Sequence, residues 1–167
     1  MGGAHVGLSM RGVRKWIVLG VAGVVAALLL AQLVPYGRAH DNPAVSQSVT
    51  WDSPRTEQLA RGACLDCHSN ETVWPWYSNV APVSWLVQGD VDGGRERLNF
   101  SEWDRPQGAD AAEIVEAVRE GGMPPFQYKP LHSGGRLSSA ELDQLVTGLQ
   151  RTLTADPPPA GSSGSGD

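Results

Sequence analysis

From Trp16 to Val34 the chain reads WIVLGVAGVVAALLLAQLV, 19 residues without a charge and with a single Gln. As a helix this run extends about 28 Å, close to the ~30 Å hydrocarbon core of a bilayer. Its apolarity is uniform, without the polar face that a helix on a soluble core turns to water. Residues 16–34 therefore read as a membrane span, and they divide the chain. Residues 1–39 carry Arg11, Arg14, Lys15 and Arg38 and no acid, whereas the other 9 basic residues and all 18 acids lie in residues 40–167. Basic flanks stay on the cytoplasmic side. Residues 1–15 are thus expected in the cytoplasm, and everything after a single pass of the cytoplasmic membrane on the periplasmic side. A cleaved signal peptide is the competing reading. Its apolar core is shorter, about 7–15 residues, and ends at a small-x-small site, for which Gly37-Arg38-Ala39 is the candidate.

Beyond the span, residues 35–53 contain Pro and Asn, lack periodicity and read as a tether. Residues 156–167, DPPPAGSSGSGD, hold nothing that buries surface and read as a disordered tail. One domain remains, residues 54–155. Its patterning is helical throughout. Asp110 and Glu113 have capping-box spacing, Ile114, Val115 and Val118 form an apolar stripe, and Gly121-Gly122 ends that helix. Ser138 and Glu141 open another, with Leu142, Leu145, Val146, Leu149 and Leu153 on one face. Pro54–Ala63 makes a short helix and Pro82–Val91 a weaker one. No segment alternates long enough for a strand, so the fold class is all-α. The charge of −9 over residues 40–167 excludes a nucleic-acid binder, which shows a basic excess.

A helical domain of about 100 residues with long Pro/Gly loops has a small core and needs a staple. The only two cysteines are three residues apart and close too short a loop to stabilise much as a disulfide. They stand in Cys64-Leu65-Asp66-Cys67-His68, the CxxCH signature of covalent c-type haem attachment. Each thiol forms a thioether to the porphyrin, and His68 becomes the proximal iron ligand. A thioredoxin-like CxxC needs a βαβ context, and a zinc site needs further paired ligands; the chain lacks both. Met123, in Gly121-Gly-Met-Pro-Pro125, is the only methionine beyond the span and the expected sixth ligand. His132 is its rival. Trp74 and Trp76, in Trp74-Pro-Trp-Tyr77, are candidates for a haem wall, with indole N–H groups available to the propionates.

The sequence resembles the haem-binding-domain family, membrane-anchored relatives of c-type cytochromes, over roughly Leu33 to Leu153. The likeness rests on Leu33-Val-Pro-Tyr-Gly-Arg38 with Asn42-Pro43, Cys64-Leu-Asp-Cys-His-Ser-Asn-Glu-Thr72, Trp74-Pro-Trp-Tyr-Ser-Asn79, Ala81-Pro82, Leu98-Asn-Phe-Ser-Glu-Trp103 and Met123-Pro124. It implies one covalent haem c in a cytochrome c-like helical fold, with Cys64, Cys67 and His68, and also Met123, as haem residues. The expected function is that of a membrane-anchored monohaem cytochrome. It would carry single electrons, rather than act as an enzyme, to redox proteins with basic docking surfaces. Two alternatives remain open. One is an open-site haem sensor or peroxidase-like enzyme, with Arg95, Arg97 or His132 over the iron. The other is a haem-free CxxC thiol oxidoreductase.

Overall fold

In the computed structural model, which describes residues 10–160, three helices begin where the sequence supplies a cap. Helix α1 spans Met10–Ala31 and α2 spans Pro54–Ala63. Ser53 starts α2: its Oγ accepts from the Thr56 N–H (3.2 Å), and Pro54 takes the first turn, where no donor is needed. A single turn, α3 (Leu65–His68), follows at once. Helix α4 covers Val83–Arg97, α5 Ala111–Arg119 and α6 Ser139–Ala155. The capping boxes Asp110–Glu113 and Ser138–Glu141 are both closed in both directions. Among the described residues there is no strand, only two isolated bridges, Gln47–Glu102 and Gln107–Ala160. The chain is all-helical.

Helix α4 runs six residues past the expected Val91 end. Gly89, Gly93 and Gly94 disfavour a helix by about 1 kcal/mol each relative to Ala, yet the helix continues, because Gly94 is where it meets α3. A Cβ there would strike the Cys67 carbonyl, oxygen and carbon alike, the carbon at 2.9 Å. A second close approach joins α2 to α6. A Cβ on Gly148 would collide with Oγ1 and Cγ2 of buried Thr56. Helix α5 packs along α6. Between these elements lies one apolar cluster that includes Leu59, Leu65, Leu98, Phe100, Trp103, Ile114, Val118, Leu145 and Leu149.

Residues 35–53, read as a tether, lie against the domain. Val49 belongs to the core and Trp51 packs on it. The Gln47 carbonyl accepts from Trp103 N (2.8 Å), and Val49 N donates to Phe100 O (3.2 Å). Aperiodic patterning hid this, because the contacts are made residue by residue to a loop. Of the expected tail, residues 156–160 are also held: Asp156 accepts from Thr50 N (2.8 Å) and the Pro159 carbonyl from Gln107 N (2.8 Å). Residues 161–167, like residues 1–9 of the basic N-terminal arm, lie outside the described residues.

No residue of α1 is buried, and its mean hydropathy of 2.0 makes it long and apolar enough to cross a membrane. It begins before Trp16 and ends at Ala31, with Gln32 and Leu33 in a turn rather than in the helix. Gln32 takes both backbone groups of Ala81: its Nε2 donates to the carbonyl (2.7 Å) and its Oε1 accepts from the N–H (3.1 Å).

Candidate functional site

Helix α2 ends at Cys64, whose carbonyl accepts from Cys67 N (3.1 Å) and His68 N (2.9 Å). That turn puts both thiols and the imidazole on one short stretch of backbone. The two cysteines are free, and burial pushes each thiol up to about 12. The direction is opposite to that of a nucleophilic CxxC, where the thiolate is stabilised. Among the described residues, no group of three or more His, Cys, Asp or Glu side chains is placed to hold a metal ion.

His68 is fixed by α4. Its Nδ1 lies 2.9 Å from the Gly94 carbonyl and 3.1 Å from the Leu98 carbonyl. Both neighbours are acceptors, so Nδ1 carries the proton and the Nε2 lone pair is left for a ligand. Burial lowers the imidazole's pKa despite these two bonds, which keeps the ring neutral. A neutral imidazole held through Nδ1 is how proteins present a histidine to a metal.

His68 and Cys64 border two adjoining cavities, of ≈ 180 and ≈ 330 Å³, which both also touch Met123, Ala63 and Arg97. The first is floored by the core itself, through Leu98, Phe100, Ile114, Val118 and Leu149. The second carries Cys67 and runs out past Gly93, Gly94 and Tyr128. The structure thus brings Cys64, Cys67, His68 and Met123 to one cleft. Met123 leaves α5 with its N–H bonded to the Ala117 carbonyl (2.9 Å) and is 37% exposed. Arg97 stands at the cleft paired with Glu113 (3.1 Å).

Other expected residues are elsewhere. His132 borders a third cavity, which shares Asp66, Cys67, Asp90 and Tyr128 with the second but touches neither His68 nor Met123. Its Nε2 meets the Tyr77 hydroxyl (3.2 Å), its Nδ1 the Tyr128 carbonyl (3.0 Å), and its ring stacks on Tyr128 at 3.8 Å. Both nitrogens are engaged. Trp74 stacks on His40 (4.7 Å), Trp76 is 79% exposed, and neither lines the cleft. The aromatic wall is instead Phe100, backed by buried Trp103 (5.5 Å, stacked) and by Trp51 (5.2 Å). Arg95 is also turned away, bonded to Ser69 O (2.8 Å), Asp41 O (2.9 Å) and Thr72 Oγ1 (3.0 Å).

The polar residues around CxxCH have a role that spacing alone did not reveal. Asn99 Nδ2 donates to Asn70 Oδ1 (2.8 Å), Asn70 N to Ser101 Oγ (3.0 Å) and Phe100 N to the His68 carbonyl (2.9 Å). The SNET and LNFSEW runs are thus two halves of one buried network behind His68. Asp66, inside CxxCH, accepts from Val73 N (3.1 Å) and from the Tyr128 hydroxyl (2.7 Å). The second bond ties the loop that follows Met123 back to the cysteine turn.

The family model for the haem-binding domain matches residues 26–151. The chain belongs to the haem-binding domain family. No curated protein and no solved structure matches it. The cleft fits the group that the haem-binding domain is named for. It combines an apolar floor of core side chains, one imidazole with a free Nε2, a thioether on the same cavities and two thiols at the edge.

Proposed function

We propose that this haem-binding domain is a membrane-anchored monohaem c-type cytochrome that passes single electrons on the periplasmic side of the cytoplasmic membrane. Cys64 and Cys67 would hold one haem c covalently, His68 Nε2 and the Met123 sulfur would ligate its iron, and α1 would be the anchor. When bound, the haem supplies a one-electron Fe(III)/Fe(II) couple. Ligation by one thioether and one imidazole would favour the reduced iron and raise the potential. The chain's own contribution is positional. Gly94 and Leu98 hold the His68 tautomer, Phe100 and the core exclude water, and Asp66 with Tyr128 steadies the Met123 loop. The carrying observation is the placement of Met123 on the cleft of His68 while both nitrogens of His132 are engaged elsewhere.

Spectra of the protein matured with c-haem machinery test this reading. Haem retained through acidic organic solvent is expected; haem lost to the solvent sinks covalent attachment. The reduced form is expected to bind CO slowly. Met123→Ala is expected to lower the potential and open the iron to CO, whereas His132→Ala leaves both as they are. If the two variants exchange these effects, His132 is the ligand.

A further inference from the structure

Six exposed apolar side chains stand where α1 ends, apart from others such as Phe126. Leu33 and Val34 follow Gln32, which grips Ala81. Val80 adjoins Ala81 and is exposed; Val83 and Leu86, one turn apart on α4, are exposed too, Leu86 at 68%. Trp76 stands beside them through Tyr77: the two rings meet edge to face at 5.8 Å, and Tyr77 lines a cavity with Val83 and Leu86. Scattered exposed leucines are ordinary, but a contiguous patch signals a partner. Arg38 is set at the same place. Its guanidinium donates to Gln32 Oε1 (3.0 Å), its buried Nε–H has no partner, and it is in no ion pair among the described residues.

We infer that the face made by Leu33, Val34, Trp76, Val80, Val83 and Leu86 lies on the lipid surface, with Arg38 at phosphate depth. This rests on the reading of α1 as a membrane span. Gln32 leaves little freedom between helix end and domain, because two hydrogen bonds to one residue fix both distance and orientation. The level at which α1 leaves the hydrocarbon is therefore the level of Ala81 and its neighbours. Tryptophan favours that boundary, where its ring sits among headgroups, and arginine pairs well with phosphate there. Tyr36, bonded to Asp92 of α4 (3.3 Å), and Gly37, whose Cβ would strike the Ser84 carbonyl, hold α4 against the same junction.

The experiment places single cysteines in the full-length haem protein in liposomes and labels them with an environment-sensitive NBD fluorophore. With haem c on both native thiols, as proposed, the wild type is expected to take no label; a labelled wild type sinks that attachment and not the lipid-facing surface. Trp76→Cys and Leu86→Cys replace exposed side chains, and Val24→Cys in α1 and Gln150→Cys on α6 are controls. Labels at 76 and 86 are expected to be quenched several-fold more by shallow doxyl lipids than the label at 150, and less by aqueous iodide. Quenching at 76 and 86 equal to that at 150, or shielding from both quenchers against a second copy or another protein, overturns the proposal while the label at 24 still reports lipid. A label at 24 quenched by iodide instead sinks the anchor itself.

Discussion

Gly89 and Gly94 are five residues apart on α4, and an added methyl is expected to act on them with opposite signs. Nothing lies within 4 Å of a Cβ on Gly89, so Gly89→Ala removes only the helix penalty of glycine and stabilises by roughly 0.5–1 kcal/mol. At Gly94 the same methyl meets the Cys67 backbone, which is not free to rotate away. Gly94→Ala is expected to destabilise by about 1–3 kcal/mol, as overpacking does. Parallel urea melts of the two variants check the pair, and equal shifts would refute the close approach. That Cys64, Cys67 and His68 would share a cleft was legible because they stand on one short stretch of chain. Trp74 and Trp76 were not, because nearness to His68 in sequence says nothing about which side of a turn a ring takes. Phe100, 32 residues from His68, is the wall.

At the level of elements, capping boxes carried the reading of α5 and α6, since each begins with a reciprocal hydrogen bond that needs only four residues. Helix α4 was under-read because its glycines weaken the helical pattern, while the contact that Gly94 serves, the Cys67 turn, is distant in sequence. The α2–α6 crossing has the same character. Gly148→Ala on α6 is expected to cost about 1–3 kcal/mol by pressing on Thr56. Thr56→Ala removes the two nearest of the three atoms in the way and leaves its Cβ at 2.9 Å, so the double variant should recover part of the loss and be more stable than the sum of the single changes allows. Denaturant midpoints of the four proteins decide it, and strict additivity would mean that α2 and α6 have room to spare. The polar SNET and LNFSEW runs were visible as motifs, but their pairing through Asn70, Asn99 and Ser101 is a tertiary fact.

For the whole molecule, charge separates the two sides of α1: no acid precedes residue 40 and all 18 follow. A surface this acidic speeds encounter with basic partners only while salt leaves its field intact. The Debye length falls from about 30 Å at 0.01 M to about 8 Å at 0.15 M. Electron transfer from the reduced protein to a basic redox protein, followed by stopped flow, should slow steeply across that range. A flat or rising rate would argue against charge-led docking.

The bond between Tyr128 and Asp66 also acts at this scale. Met123 is 55 residues from His68 along the chain but only five from Tyr128. Burial and the neighbouring carboxylate both raise the Tyr128 pKa, so the phenol remains a donor well into alkaline solution. An iron–thioether bond in this cleft, as proposed, would be a ring closure whose strength depends on the effective concentration of sulfur at the metal. The Met123 segment is held at both ends, by its own N–H bond to the Ala117 carbonyl at the end of α5 and by Tyr128 five residues on. In the proposed cytochrome, a sulfur tethered in this way would rebind before most competitors arrive, so selectivity against diatomic ligands would be set in part by the Tyr128–Asp66 hydrogen bond, which touches neither proposed ligand.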